Sequence, residues 1–353
     1  MTKLNEKEII DLFFSNLLQK NKIEFQIRDD VSVLSFKDLR KNKAKSFNPY
    51  HIVIKSDMLV ESTDVVKKMK IWQIARKSIV SAVSDMSAKG IRPPYFSLLS
   101  IGIPRSWTKY KIKNLVLGFE KASKEFGVVF VGGDTNESKE LVIDCILFRS
   151  LDSSTTNNFP LRNNAKTGDI IITSGKFGYT SSGLKILLFN SKATSSFKKQ
   201  AISSILLPKP NQRFGTLLGQ YFSSSIDSSD GLGMSLYELA KQSKVDFYID
   251  NIPFPFGLIE FAKTNCLNIY DLIFKGGEEY EILATVNPSN LPKVKFICKK
   301  FGLPLFVIGK VMVGNGNVFV KYNNKFEKLL HEKIMNTSND YFLLESKGFL
   351  HFT

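Results

Sequence analysis

The chain has 353 residues, 43% of them hydrophobic and 12% aromatic, enough for one large core or two ordinary ones, which excludes a disordered tail or a stapled mini-protein. Lys and Arg number 49 against 33 Asp and Glu, a formal net charge of +16. That surplus fits a nucleic-acid or membrane-surface partner or a plain lysine-rich surface, and since no basic block exceeds a few residues the second is favoured.

Near the N-terminus Ile9, Ile10, Phe13, Phe14, Leu17 and Leu18 recur at helical spacing between alternating acids and bases, the pattern of a packing helix and not of a secretory leader. Val31 to Phe36 and His51 to Ile54 read as strands, the second ending just ahead of Ser56-Asp57. Ile71, Ala75, Ile79, Val83 and Met86 mark one face of a long helix, closed by Gly90 and stopped by Pro93-Pro94. A buried strand over Tyr95 to Ile103, a helix over Tyr110 to Phe126, a strand over Val128 to Val131 running into Gly132-Gly133-Asp134, and a strand over Leu141 to Phe148 complete a first unit. The stretch Asp152 to Asn164, rich in Ser, Thr and Asn, breaks the hydrophobic pattern and divides the chain into expected domains 1–150 and 151–353. The second half restarts with a strand (Asp169 to Thr173), a turn from Gly175 to Gly183 and a helix, followed later by strands over Tyr280 to Val286 and Phe306 to Gly309. Strands alternating with helices in both halves predict two α/β (α+β) domains. No stretch reaches the roughly 18 apolar residues of a membrane span.

Short Asp-centred segments stand where strands end or helices begin: Arg28-Asp29-Asp30, Ser56-Asp57-Met58, Ser84-Asp85-Met86, Gly132-Gly133-Asp134-Thr135 and Asp227-Ser228-Ser229-Asp230-Gly231, with Gly276-Gly277-Glu278-Glu279-Tyr280-Glu281 opening a strand. Each alone has a structural explanation, Asp230 as the cap of the next helix and Gly132-Gly133 as a turn. Together they make an all-oxygen ligand set. The histidines are only His51, His331 and His351, and Cys145, Cys266 and Cys298 are far apart with no C-x-x-C, which argues against zinc and disulfides and for a reducing cytoplasm. Oxygen donors select Mg²⁺ or Ca²⁺, and the EF-hand spacing is missing. Mg²⁺ takes one or two carboxylates and completes its shell with water and substrate phosphate, so carboxylates spread over both halves point to several ions around a polyphosphate. No G-x-x-x-x-G-K-[ST] loop and no H-R-D or D-F-G set occurs, so the scaffold is a different one. Ser78, Ser81 and Asp85 form a small polar stripe on the long helix, suited to a nearby ion or to a tight helix contact.

Taken in order, Asp29-Asp30, Ser56-Asp57-Met58-Leu59-Val60-Glu61, Ser84-Asp85-Met86-Ser87-Ala88-Lys89-Gly90, Gly132-Gly133-Asp134-Thr135, Thr167-Gly168-Asp169, Ser225 to Leu232 and Gly276 to Glu281 resemble the thiamine-monophosphate kinase family, of the aminoimidazole ribonucleotide synthetase superfamily. The resemblance runs from about residue 28 to Lys347-Gly348-Phe349. It implies a two-domain fold of that superfamily and a cytoplasmic homodimer whose N-terminal domains pair their sheets, with ATP in a cleft between domains. It also implies Mg²⁺-dependent transfer of the ATP γ-phosphoryl group to thiamine monophosphate, with no nucleic-acid or membrane partner. Carried over residue by residue, metal ligands fall on Asp30, Ser56, Asp57, Asp85, Asp134, Asp227 and Asp230, among which Asp57, Asp85 and Asp230 carry the transfer. Nucleotide contacts fall on Gly133, Asp134, Arg162 and Ser229, and substrate contacts on Asp64, Glu278 and Phe349. The acceptor phosphate is already a nucleophile, so no general base is required.

This sequence departs from the family pattern at Arg28, where glycine is common, and at Lys55, where a hydroxyl residue is usual. Lys55 either contacts phosphate or points outward from its strand. Asp64 stands where bacterial members carry histidine, Glu279 replaces aspartate, and Gly178-Tyr179-Thr180 replaces Gly-Asp-Ser, which marks a divergent, archaeal-type member. Selenophosphate synthetases need a reactive residue near the N-terminus, and the hydrogenase-maturation relatives end in cysteine, whereas the first cysteine here is Cys145 and the chain ends His351-Phe352-Thr353. Aminoimidazole ribonucleotide synthetase is the nearest enzymatic alternative, and a basic nucleic-acid-binding protein the alternative of another class.

Overall fold

Residues 29–35, 50–152, 159–322 and 325–329 are described by the computed structural model; the helix expected over Ile9 to Leu18, Arg28, Phe349, His331 and His351 lie outside them. The first half runs β1 (Ser32–Ser35), β2 (Tyr50–Val60), a one-turn α1 (Glu61–Asp64), α2 (Ile71–Ala88), β3 (Tyr95–Pro104), α3 (Lys109–Phe126), β4 (Val128–Ser138) and β5 (Val142–Asp152). Its sheet has the order β1-β2-β5-β3-β4, antiparallel except for the β3/β4 pair, which α3 connects. One face packs under α2 and α3, where Val53, Leu99, Ile143 and Leu147 meet Ile79, Val83, Phe119 and Ala122. On the opposite face Met58, Phe96, Leu98, Val129 and Val131 are exposed.

After a 3-10 turn at Arg162–Asn164 come β6 (Ile170–Thr173), α4 (Tyr179–Phe189), α5 (Ser195–Leu206), α6 (Gln212–Leu218), β7 (Phe222–Asp227), α7 (Leu232–Ser243), β8 (Val245–Ile249), α8 (Leu258–Thr264), α9 (Ile269–Phe274), β9 (Ile282–Val286), α10 (Leu291–Phe301), β10 (Phe306–Val313), β11 (Val318–Tyr322) and β12 (Lys325–Lys328). The sheet order is β12-β11-β8-β10-β6-β9-β7, with β11/β8 its parallel pair. Helices α4, α5, α7, α8 and α9 cover one face. Helices α6 and α10 cover the other, and Ala88 at the end of α2 joins that second core. Helix α2 thus serves both sheets, and nearly all of its residues are buried. It approaches α6 at a position that only glycine allows, since a Cβ on Gly215 would sit 1.8 Å from the Ser87 carbonyl oxygen.

Several elements are longer than their sequence pattern, β5 and β10 among them, and three of these extensions take in motif residues. β2 continues through Lys55-Ser56-Asp57 because all eleven of its residues pair with β5, so that segment is mid-strand and not at a strand end. β4 continues through Gly132-Gly133-Asp134 along β3. Gly183 lies inside α4, not in the turn before it, and it is glycine for close packing, since a Cβ there would meet the Ala201 carbonyl oxygen at 2.1 Å where α4 and α5 touch.

Candidate active site

Four elements bring carboxylates together beside α2. Asp30 precedes β1, Asp57 lies on β2, Asp85 on α2, and Asp227 is the last residue of the edge strand β7. Oxygens of Asp30, Asp85 and Asp227 all lie within 4.8 Å of one another, and all three residues are buried. Side chains alternate along a strand, so Lys55 and Asp57 share the inner face of β2. The Lys55 Nζ stands 2.7 Å from Asp85 Oδ2 and 3.5 Å from Asp57 Oδ1. On the other flank Lys89, its side chain fully buried, lies 2.5 Å from Asp29 Oδ1 and 2.9 Å from Asp30 Oδ2. It also donates to the Ser225 and Pro160 carbonyls at 2.6 and 3.1 Å. Arg162 donates from Nε to Asp30 Oδ1 at 2.8 Å and from Nη2 to the same oxygen, while its backbone N–H donates to Asp29 Oδ2 at 2.8 Å.

Burial disfavours charge on Asp30, Asp85 and Asp227, and the neighbours decide the outcome. At Asp30 the burial penalty is outweighed by Arg162 and Lys89, which hold its carboxyl below the usual range. At Asp85 burial dominates, Lys55 only partly offsets it, and Asp227, Asp57 and Asp30 add repulsion, so its pKa stands well above normal. Burial and then Asp30 push Asp227 up to about 7. Burial works against the Lys55 charge too, but Asp57 and Asp85 more than compensate and raise its pKa. The pocket therefore carries more negative charge than its own cations settle. Asp57 Oδ2, Asp227 Oδ2 and the Ser228 hydroxyl are buried without a hydrogen-bond partner among the described residues. Unpartnered, oxygen-only donors around a negative centre fit Mg²⁺.

The other expected site residues fall in three places. Ser229 donates to Asp227 Oδ1 at 3.2 Å, and its carbonyl accepts from the Glu278 N–H at 2.7 Å, tying the two acidic loops together. Asp230 is exposed, and the helix after it has Gly231 at its N-cap with no side-chain cap, so the capping explanation does not hold. Glu278 and Asp64 meet at Lys77, whose Nζ lies 2.7 Å from Glu278 Oε1 and donates to the Asp64 carbonyl at 2.6 Å. Ser56 projects from the outer face of β2, where it is exposed and donates to Asp144 Oδ1 at 2.7 Å. Gly133 and Asp134 lie in an exposed stretch of β4, outside the buried group of three. Register partners Asp144, Ser100 and Asp134 form one row across β5, β3 and β4.

A family profile described as AIR synthase related protein, N-terminal domain, matches residues 29–148. Over 325 residues, 92% of this chain and 96% of the relative, the sequence is 41% identical to a Nitrosopumilus maritimus protein named thiamine-monophosphate kinase. The chain belongs to the thiamine-monophosphate kinase family. A Pyrococcus horikoshii member is 30% identical over 93% of this chain and 95% of its own length. A solved structure described as AaThiL complexed with AMPPCP and TMP superposes with a TM-score of 0.74, covering 94% of this chain and 99% of that one at 24% identity. The two-sheet α/β fold of this family member is the one its sequence motifs imply.

Sequence reasoning missed several residues of this thiamine-monophosphate kinase family site. Lys77 lies within α2 and Lys89 caps its C-terminus, and an ionisable residue in or beside a helix with so many small and apolar residues is the signal of a buried pair. Asp144 is an acid within an apolar strand. Arg162, expected on the nucleotide, is engaged with Asp30. The loop carrying Glu278 is itself strained, with Glu278 and Tyr280 at φ of 58° and 52°. It is held by two flanking acids. Glu279 Oε1 accepts from the Gly178 and Thr180 N–H groups at 2.7 and 3.2 Å at the start of α4, and burial pushes its pKa up to about 7. Glu281 Oε2 accepts from Ser174 Oγ at 2.5 Å and Asn211 Nδ2 at 2.7 Å, and burial pushes it up to about 8.

Proposed function

We propose that the chain transfers the γ-phosphoryl group of ATP to thiamine monophosphate, giving thiamine diphosphate. The observation that carries the reading is the 41% identity, across nearly the whole of both chains, to a protein of that name. The buried oxygen-only group supports it on chemical grounds. Donor and acceptor phosphates are both anionic, so their approach is opposed by repulsion that the protein must offset. Mg²⁺, when bound, supplies that neutralisation and stabilises charge in the transition state. Asp30, Asp57, Asp85 and Asp227 would hold it from inside the pocket, and Ser56, Asp134 and Asp230 from exposed positions, consistent with more than one ion. Asp57, Asp85 and Asp230 are the residues assigned to the transfer itself.

Arg162 fixes Asp30 and has further N–H groups to offer a phosphate, in the planar fork that suits one. Gly133, Asp134 and Ser229 complete the nucleotide side. Glu278 offers a carboxylate to the cationic thiazolium of the substrate, with Asp64 beside it on Lys77, and Phe349 is assigned to the same substrate from outside the described residues. The units 1–150 and 151–353 act as two domains with ATP between them, because Arg162 and Asp227 come from one and Asp30, Asp57 and Asp85 from the other. A second copy of the chain covers the exposed apolar face carrying Met58, Phe96, Leu98, Val129 and Val131, as a homodimer. The enzyme works in the cytoplasm; no helix among the described residues is long and apolar enough to cross a membrane.

The test is incubation of the protein with ATP and Mg²⁺ plus either thiamine monophosphate or formylglycinamidine ribonucleotide. Thiamine diphosphate, followed by fluorescence after oxidation, is expected in the first mixture; its absence there refutes the reading.

A further inference from the structure

The acidic pocket already contains a cation of its own on the side away from Asp30. Lys89 and Arg162 are committed to Asp29 and Asp30. Among the described residues Asp57 and Asp85 have ion pairs with Lys55 alone. Lys55 is anchored at its backbone, since β2 lies between β1 and β5 and Lys55 pairs in register with Leu147. Its side chain is 22% exposed and leaves the strand on the face that carries Asp57 toward α2. From the kinase reading above, we infer that Lys55 is a resident cation of the candidate active site, its ammonium taking the place of one divalent ion between Asp57 and Asp85.

A charged lysine has three N–H donors and no lone pair, so it cannot ligate a metal as a hydroxyl does. It competes for the oxygens instead. An ammonium nitrogen 2.7 Å from Asp85 Oδ2 occupies the approach along which Mg²⁺ comes to about 2.0–2.1 Å from a ligand oxygen. A second cation held by the same Asp57 and Asp85 oxygens would be repelled by the ammonium, strongly so away from bulk water. The unpartnered Oδ2 atoms of Asp57 and Asp227 remain open to other ions, so the lysine removes one ion and not the whole metal centre. A resident ammonium is not lost when free Mg²⁺ falls, and binding of the nucleotide then depends on one fewer divalent ion.

The experiment counts Mn²⁺ bound per chain at saturation, by electron paramagnetic resonance of the free ion, in the presence of the non-hydrolysable ATP analogue AMPPCP. Lys55→Ser, which opens the gap and supplies a hydroxyl, is expected to bind one Mn²⁺ more per chain than the parent. Lys55→Arg, which keeps the charge, is expected to match the parent. If Lys55→Ser does not fold by circular dichroism, the count is read from Lys55→Gln, which keeps most of the stem and offers an oxygen, with the same extra ion expected. Equal counts in the parent and the neutral variant overturn the inference, because the lysine then yields to the incoming ion or the gap accepts none. The count needs no turnover: an unchanged count with thiamine diphosphate still formed by the parent sinks the resident cation alone, whereas a parent that forms no thiamine diphosphate sinks the kinase reading.

Discussion

Asp85→Asn separates what a buried carboxylate does for binding from what it does for folding. Without metal, its charge is drawn to Lys55 at 2.7 Å and repelled by Asp30 and Asp227, whose oxygens lie within 4.8 Å. At an effective dielectric constant of about 20 the attraction is about 6 kcal/mol, and each repulsion is about 3.5 kcal/mol or more. Two repulsions therefore offset the one attraction, and burial adds its own penalty, in keeping with the raised pKa of the group. The asparagine keeps the shape and loses the charge. In EDTA the variant should unfold in urea within about 1 kcal/mol of the parent, not with the roughly 3–5 kcal/mol loss that follows removal of one partner from a favourable buried pair. Fluorescence of Trp72 and Trp107 reports the transition. Added Mg²⁺ should raise the parent's midpoint and shift the variant's much less, and thiamine diphosphate formation should fall by roughly 10²-fold or more, the scale for losing one preorganised electrostatic partner. A loss beyond about 3 kcal/mol in EDTA refutes the reasoning by making Asp85 a structural anchor, and an undiminished response to Mg²⁺ refutes it by showing that Asp85 does not hold the ion.

Lys77→Met removes the ion pair between Lys77 and the half-buried Glu278 and frees the Asp64 carbonyl, so stability should drop by about 3 kcal/mol and KM for thiamine monophosphate should rise more than KM for ATP; an equal rise in both would place Lys77 outside the substrate side. Glu281 gives a pH signature. Its folded pKa of about 8 lies above the ordinary 4.5, so between those values the folded chain keeps a proton that the unfolded chain has released. Its contribution to stability is complete below about pH 4.5 and is lost as pH rises to about 8, at up to about 1.4 kcal/mol per pH unit. Glu281→Gln should flatten the stability curve across that window when urea midpoints are compared from pH 5 to 8, and parallel curves for parent and variant would show that the carboxyl is not protonated in the fold.

Much of the architecture is written in local pattern. The apolar spacing from Ile71 to Met86 defines α2 because one face of a helix repeats every three to four residues, and the acid clusters mark the segments that converge at the pocket. Convergence itself is not local. Asp30, Asp85 and Asp227 meet because α2 threads between two sheets and β7 stands at the edge of the second, an arrangement that no window of sequence contains. The polar run Lys55-Ser56-Asp57 interrupts the apolar alternation and hides the continuation of β2, and with it the fact that Ser56 and Asp57 face opposite ways. Lys77 and Lys89 read as surface charges by residue type, yet their partners carry them into the interior. The engagement of Arg162 with Asp30 likewise depends on a contact between residues far apart in the chain.

The two-faced strand β2 constrains how this protein can change. Its inner side presents Lys55 and Asp57 to the buried acids, and its outer side presents Ser56 toward Asp144 and Met58 to the exposed apolar surface. Replacing a side chain alters one chamber and leaves the other intact, so position 55 can exchange a lysine for a hydroxyl residue without disturbing the far face. Deleting or inserting a single residue exchanges both sets at once, driving a thioether among carboxylates and a carboxylate onto an apolar surface. Descent along this strand is therefore open to substitution and closed to a change in length.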